Sequence, residues 1–126
     1  MKPIHEGGYI IAVDLDGTIL ENEYPKLGEP IEGAKESLIE LKRQGHRIVI
    51  WTCRVNVNLV ARHLRKHGIP FDAINSNDAL TKEERAKFGN NESRKIGADI
   101  YIDDRGLRFC DWEETMLMLD ELFERE

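Results

Sequence analysis

The chain is poor in cysteine and proline, with two of the first and four of the second among 126 residues, and it carries no excess of positive charge. The two cysteines, Cys53 and Cys110, form no C-x-x-C pair and no Cys/His ligand spacing. That argues against a disulfide framework and a zinc site, and it fits reduced thiols in a cytoplasmic enzyme. No window approaches the ~18 consecutive apolar residues of a membrane span, and Met1 to Glu6 lacks the apolar centre of a signal peptide. No membrane partner is expected.

The formal charge of −6 comes from 24 acidic and 18 basic side chains. Residues 1–110 carry 17 of each sign, so the excess belongs to Asp111–Glu126, which has seven acids and one base, Arg125. The sign argues against a nucleic-acid partner. With 40% hydrophobic and 33% charged residues the composition is that of a globular protein. At this length a single catalytic domain over residues 1–126 is expected, large enough to bury roughly two thirds of its unfolded surface.

Tyr9–Val13 is a continuous apolar run, as a strand buried on both faces requires, and Asp14-Leu15-Asp16-Gly17 ends it abruptly. Ile31, Ala34, Leu38 and Leu41 fall at helical spacing, closed by Gly45. A second strand covers His46–Thr52, and a helical stripe at Val57, Val60, Ala61 and Leu64 stops at Gly68 and Pro70. Phe71–Ile74 reads as a short third strand, Asn75–Arg94 as a long loop with one helical turn or two near Thr81–Phe88, and Ala98–Ile102 as a fourth strand. Trp112, Met116, Leu119 and Phe123 mark a last helix, with Asp111 as its N-cap. Alternating strands and helices predict an α/β fold, an open parallel sheet between helical layers, with ligands bound beyond the carboxyl ends of the strands.

Three of the four predicted strands end in polar groups at that edge: Asp14 and Asp16, Thr52 followed by Arg54, and Asp103 and Asp104. Four carboxylates gathered there repel one another, and a bound cation resolves the conflict. One or two carboxylates with room for water and substrate suit Mg²⁺. Asp14, last on a rigid strand, is placed to attack phosphorus, and Asp16 to give and take the protons. Gly17 lets the chain turn away from the phosphate.

These residues resemble the haloacid dehalogenase superfamily of phosphohydrolases. Its first motif, hhhhDxDGT, is matched position by position by IIAVDLDGT at Ile10–Thr18. The second, a strand ending in Ser or Thr, is matched by VIWT with Thr52. The fourth, an acidic pair after a strand, is matched by Asp103 and Asp104. The third is a lysine ahead of that strand, taken by position as Lys95, with Lys82, Lys87 and Arg94 as competitors. The resemblance implies a Rossmann-like three-layer sandwich. It implies Asp14 as nucleophile, Asp16 as general acid/base, and Thr52 and Lys95 as holders of the phosphoryl group. Mg²⁺ would be held by Asp14, the Asp16 backbone carbonyl and Asp103, with Asp104 direct or through water. Family members that dehalogenate lack the second aspartate, so Asp16 argues for a phosphatase.

The resemblance also locates cap domains, inserted after the first motif or after the third strand. Here Gly17–Pro30 is 14 residues and Ser76–Arg94 is 19, both short of the ~40 that independent folding usually needs, so the chain reads as capless. In capless relatives acting on small sugar phosphates a tetramer commonly covers the site, which implies a homo-oligomer here. Tyr24 and Pro25 in the first loop and Asn75–Asn91 in the second are where substrate contacts are expected. Arg54 and Arg105 follow motif residues directly and either touch substrate or pair with neighbouring acids.

Other readings are plainer. Thr52 or Asn56 could cap the following helix. His63 and His67 have the i, i+4 spacing of a metal pair but sit among Arg62, Arg65 and Lys66, which reads as a solvated face. Cys53 reads as a small core residue. The function expected is Mg²⁺-dependent hydrolysis of a small-molecule phosphate ester such as a sugar phosphate, through an aspartyl-phosphate. The alternatives are a receiver-like phospho-acceptor domain and a phosphatase of a macromolecular or nucleic-acid phosphate.

Overall fold

A computed structural model describes residues 8–78, 80–86, 97–103 and 107–124. The apolar run forms β1 (Ile10–Asp14), whose first four residues are fully buried. It is followed by a two-stranded hairpin, β2 (Leu20–Glu23) and β3 (Lys26–Pro30), then α1 (Ala34–Arg43), β4 (Arg47–Trp51), α2 (Val57–Lys66) and β5 (Ala73–Ile74). The chain continues through α3 (Lys82–Ala86), β6 (Ile100–Asp103), β7 (Leu107–Arg108) and α4 (Trp112–Glu124). The main sheet is parallel, in the order β5-β4-β1-β6-β7. It is a Rossmann-like three-layer α/β sandwich. Among the described residues no helix is long and apolar enough to cross a membrane.

The alternation of β1 divides the core. Ile11 and Val13, with Ile48, Ile50 and Ile102, pack against Leu38 and Leu41 of α1, Val60 and Leu64 of α2, and Trp112 and Leu119 of α4. Burying each such aliphatic side chain stabilises the fold by about 1.5–3 kcal/mol, which makes this face the main support of the sheet. Ile10, Ala12 and Val49 face the other way, toward Ala73, Leu80 and Ala98. Both faces of β1 are therefore dry, the physical reason for its unbroken hydrophobicity.

The second face also holds α3, through an ion pair. Arg47 donates two hydrogen bonds to Glu84, at 2.9 and 2.7 Å. Glu84 closes a capping box as well: Thr81 N–H donates to its carboxylate at 2.8 Å and Glu84 N–H donates to the Thr81 hydroxyl at 3.2 Å. The Arg47 hydrogen bonds hold the Glu84 carboxyl down at about 2, against the upward push of burial and with help from Thr81. The folded pKa lies below the ordinary 4.5, so this stabilisation is complete above pH 4.5 and fades as pH falls toward 2. Urea unfolding is expected to show Glu84→Gln less stable by about 1–3 kcal/mol at neutral pH, with the difference shrinking through that window.

The hairpin was not visible in the sequence, where Gly17–Pro30 reads as loop. Five of its nine strand residues are exposed and no apolar alternation marks it. Its strands approach closely at Gly28, where a Cβ would collide with the carbonyl oxygen of Glu21. From α2, His63 donates through Nε2 to the Gly28 carbonyl at 2.8 Å, and His67 lies 3.8 Å from Glu29. The histidines are thus docked on β3 rather than forming a purely solvated face. Asp111 does cap α4, its Oδ1 accepting from Glu114 N–H at 2.8 Å, and Glu113, Glu114, Asp120, Glu121 and Glu124 all lie on the exposed side.

Candidate active site

Register brings the motif residues together. Asp14 pairs with Trp51, the residue before Thr52, and Val13 pairs with Ile102, the residue before Asp103. Asp14, Thr52 and Asp103 therefore stand at the carboxyl ends of three adjacent strands, spaced at roughly 4.8 Å from one strand to the next. After Asp14 the chain coils: the Leu15 carbonyl accepts from the N–H groups of Thr18, Ile19 and Leu20 at 3.2, 2.9 and 3.1 Å. Gly17 sits at φ 87° with nothing within 4 Å of the place a Cβ would take. Conformation, not crowding, requires glycine there. Trp112 fixes this turn from behind, donating through Nε1 to the Thr18 carbonyl at 2.8 Å.

Thr52 does not cap α2. Asn56 does, its Oδ1 accepting from Leu59 N–H at 3.1 Å. The Thr52 hydroxyl accepts from Arg54 N–H at 3.1 Å, which leaves its own O–H able to donate outward. The sequence reading missed what holds Thr52 in place. Asn75, just past β5, accepts from Thr52 N–H through Oδ1 and donates through Nδ2 to the Thr52 carbonyl, both at 2.7 Å. Its φ of 52° is a conformation asparagine tolerates better than most residues. An asparagine directly after a strand in the predicted substrate loop was the available signal.

Arg54 is turned inward. Its Nε and Nη2 donate to the two oxygens of Asp16 at 2.9 and 2.8 Å, and Nη1 and Nη2 donate to the carbonyls of Pro25 and Lys26 at 2.9 and 2.8 Å. Tyr24 lays its ring 5.0 Å from the guanidinium carbon. The hydrogen bond to Asp16 pushes the Arg54 pKa further up, against the opposing effect of burial. Of the two roles the sequence left open, this structure displays pairing with a neighbouring acid. Cys53 and Cys110 are both exposed. The core placement of Cys53 is thus overturned, because it lies beyond the end of β4, where no layer covers it.

The carboxylates at the strand ends bear on which cation the site could hold. Among the described residues no three His, Cys, Asp or Glu side chains converge as a ligand set. Asp16 is engaged by Arg54, and Asp14 and Asp103 stand on neighbouring strand ends. Two carboxylates, completed by water, a backbone carbonyl and a substrate phosphate, match what Mg²⁺ takes and fall short of a closed transition-metal cage. Lys95, Asp104 and Arg105 lie outside the described residues.

The family of haloacid dehalogenase-like hydrolases matches residues 11–98, from β1 to the approach to β6. The chain belongs to that family. A structure of a conserved protein from Bacteroides thetaiotaomicron is similar to this hydrolase, at 36% identity over 90% of this chain and 91% of that one, with a TM-score of 0.74. A search of curated proteins gives no match. Within the family frame, the segment between β1 and α1 holds the short hairpin where larger members carry a cap domain.

Proposed function

We propose that this hydrolase is a Mg²⁺-dependent phosphomonoesterase working through an aspartyl-phosphate. The observation that carries the reading is the convergence of Asp14, Thr52 and Asp103 on three adjacent strand ends, with Asp16 one turn beyond. The Asp14 carboxylate attacks phosphorus; an O–P bond forms and the ester P–O bond breaks as Asp16 gives its proton to the departing oxygen. Asp16, now ionised, takes a proton from water as that water attacks the acyl phosphate, releasing inorganic phosphate and restoring Asp14. Thr52 donates its O–H to a phosphoryl oxygen, and Lys95 is assigned to the same group by its place in the chain. Asp14, Asp103, the Asp16 carbonyl and Asp104 would hold Mg²⁺, which when bound neutralises charge on the phosphoryl oxygens.

The substrate favoured is a small phosphorylated metabolite such as a sugar phosphate, the class that capless members of the family act on when further subunits cover the site. A second copy of the chain would complete the cover, and the exposed Tyr24, Val55 and Leu59 are apolar surface it would meet. Two exposed free thiols fit a cytoplasmic setting. Phosphate release from excess aryl phosphate with Mg²⁺ is expected to exceed the protein concentration many times over. Release that stops at one phosphate per chain would favour a receiver-like acceptor.

A further inference from the structure

We infer that Arg54 is a positioning residue that sets the Asp16 carboxylate and couples it to the β2–β3 hairpin. The role given to Asp16 rests on the phosphatase reading above; the coupling itself rests on geometry. One guanidinium spends four N–H contacts on three partners: both oxygens of Asp16 and the carbonyls of Pro25 and Lys26. Its side chain is 10% exposed and that of Asp16 is 19%. A bidentate fork fixes the plane of a carboxylate as well as its location, and it leaves only the outer lone pairs of each oxygen to face a substrate.

The hairpin depends on this contact. Two-stranded hairpins are marginal in water on their own, and this one buries little besides Leu20 and Gly28. α2 supports its β3 strand through His63, whereas the turn itself, where Tyr24-Pro25 is a cis peptide, is tied by Arg54. Arg54 is in turn seated by its own N–H on the Thr52 hydroxyl. The acid/base carboxylate, the phosphate-facing hydroxyl and the hairpin turn therefore share one residue. A shift of the turn moves the guanidinium, and with it the direction in which Asp16 faces the departing oxygen.

Two readouts test this. Amide hydrogen exchange over residues 22–28 is compared in the wild-type protein, Asp16→Asn, Arg54→Met and the double variant. Charge-assisted hydrogen bonds are lost in each, so exchange at the turn is expected to rise by roughly tenfold in either single variant, and by no more in the double. An unchanged hairpin in Asp16→Asn, or additive effects in the double variant, overturns the coupling whether or not the protein hydrolyses the chosen ester. The second readout is kcat along a series of aryl phosphates from p-nitrophenyl to phenyl. A displaced general acid matters most for the poorer leaving group, so Arg54→Met is expected to lose roughly 10²-fold on phenyl phosphate and far less on p-nitrophenyl phosphate. Arg54→Lys, which keeps the charge without the fork, is expected not to restore the phenyl rate. Equal loss across the series, or full rescue by lysine, overturns positioning. Failure of the phosphatase reading shows separately, as a wild-type protein inactive on every ester while the exchange result stands.

Discussion

Asp14→Asn is expected to lower kcat for phosphate-ester hydrolysis by about 10⁴-fold or more, the scale on which removal of a nucleophile acts. The amide is nearly isosteric with the carboxylate, so neither the packing of Ile11 and Val13 nor the pairing of β1 with β4 and β6 is disturbed. What it lacks is the anionic oxygen that, in the proposed mechanism, attacks phosphorus. Stability should move the other way or not at all. Asp14 and Asp103 stand on adjacent strand ends, and removing one of two like charges relieves repulsion. Steady-state phosphate release beside a thermal melt checks both: a folded protein with no turnover is the expected result. Wild-type turnover in the variant would remove Asp14 from the chemistry.

Chelation is expected to have the next largest effect. Adding EDTA should reduce hydrolysis by at least about 10²-fold, and excess Mg²⁺ should restore it, since neutralising phosphoryl and carboxylate charge is worth several kcal/mol at about 1.4 kcal/mol per factor of ten. The structure sharpens why. Sequence reasoning gathers four carboxylates at one edge and asks a cation to reconcile them. Arg54 pairs with Asp16, so the side-chain carboxylates that the proposal assigns to a cation are, among the described residues, those of Asp14 and Asp103. A larger cation such as Ca²⁺, which takes more oxygen ligands at longer distances than Mg²⁺, should restore activity poorly. Full activity in EDTA would mean that the protein's own cations suffice.

The parts of the fold that were legible are those where burial dictates composition. β1 is dry on both faces and reads as IIAV; α1 and α2 each bury one stripe and show it at helical spacing. The strand ends were legible too, since polar residues that halt an apolar run at a parallel-sheet edge have few structural reasons to be there. The hairpin was not, because its stability comes from elsewhere: Arg54 and His63 reach it from the β4–α2 segment, contacts some 28 to 35 residues away in the chain. The third strand was legible at Phe71–Ile74, though only Ala73–Ile74 pairs in the sheet, and the two-residue β7 gave too little pattern to find.

The candidate site divides in the same way. Asp14, Asp16, Thr52 and Asp103 are named by position along strands, which a sequence records. The partners that orient them, Arg54 on Asp16 and Asn75 on Thr52, act across 38 and 23 residues and depend on side-chain direction, which spacing does not encode. For Arg54 the sequence left open both substrate contact and pairing with an acid, and the shared hairpin turn accompanies the pairing with Asp16. His63 of α2 and His67 just after it misled for the related reason that the face they line is covered by a strand the sequence did not announce.

The covalent step at Asp14 is the centre of the proposed mechanism. Acid quenching during turnover of a ³²P-labelled phosphate ester, followed by peptide mapping, should find label on Asp14, held in an acyl phosphate that hydroxylamine cleaves. Label on another residue, or hydrolysis at full rate with no labelled protein, would contradict it.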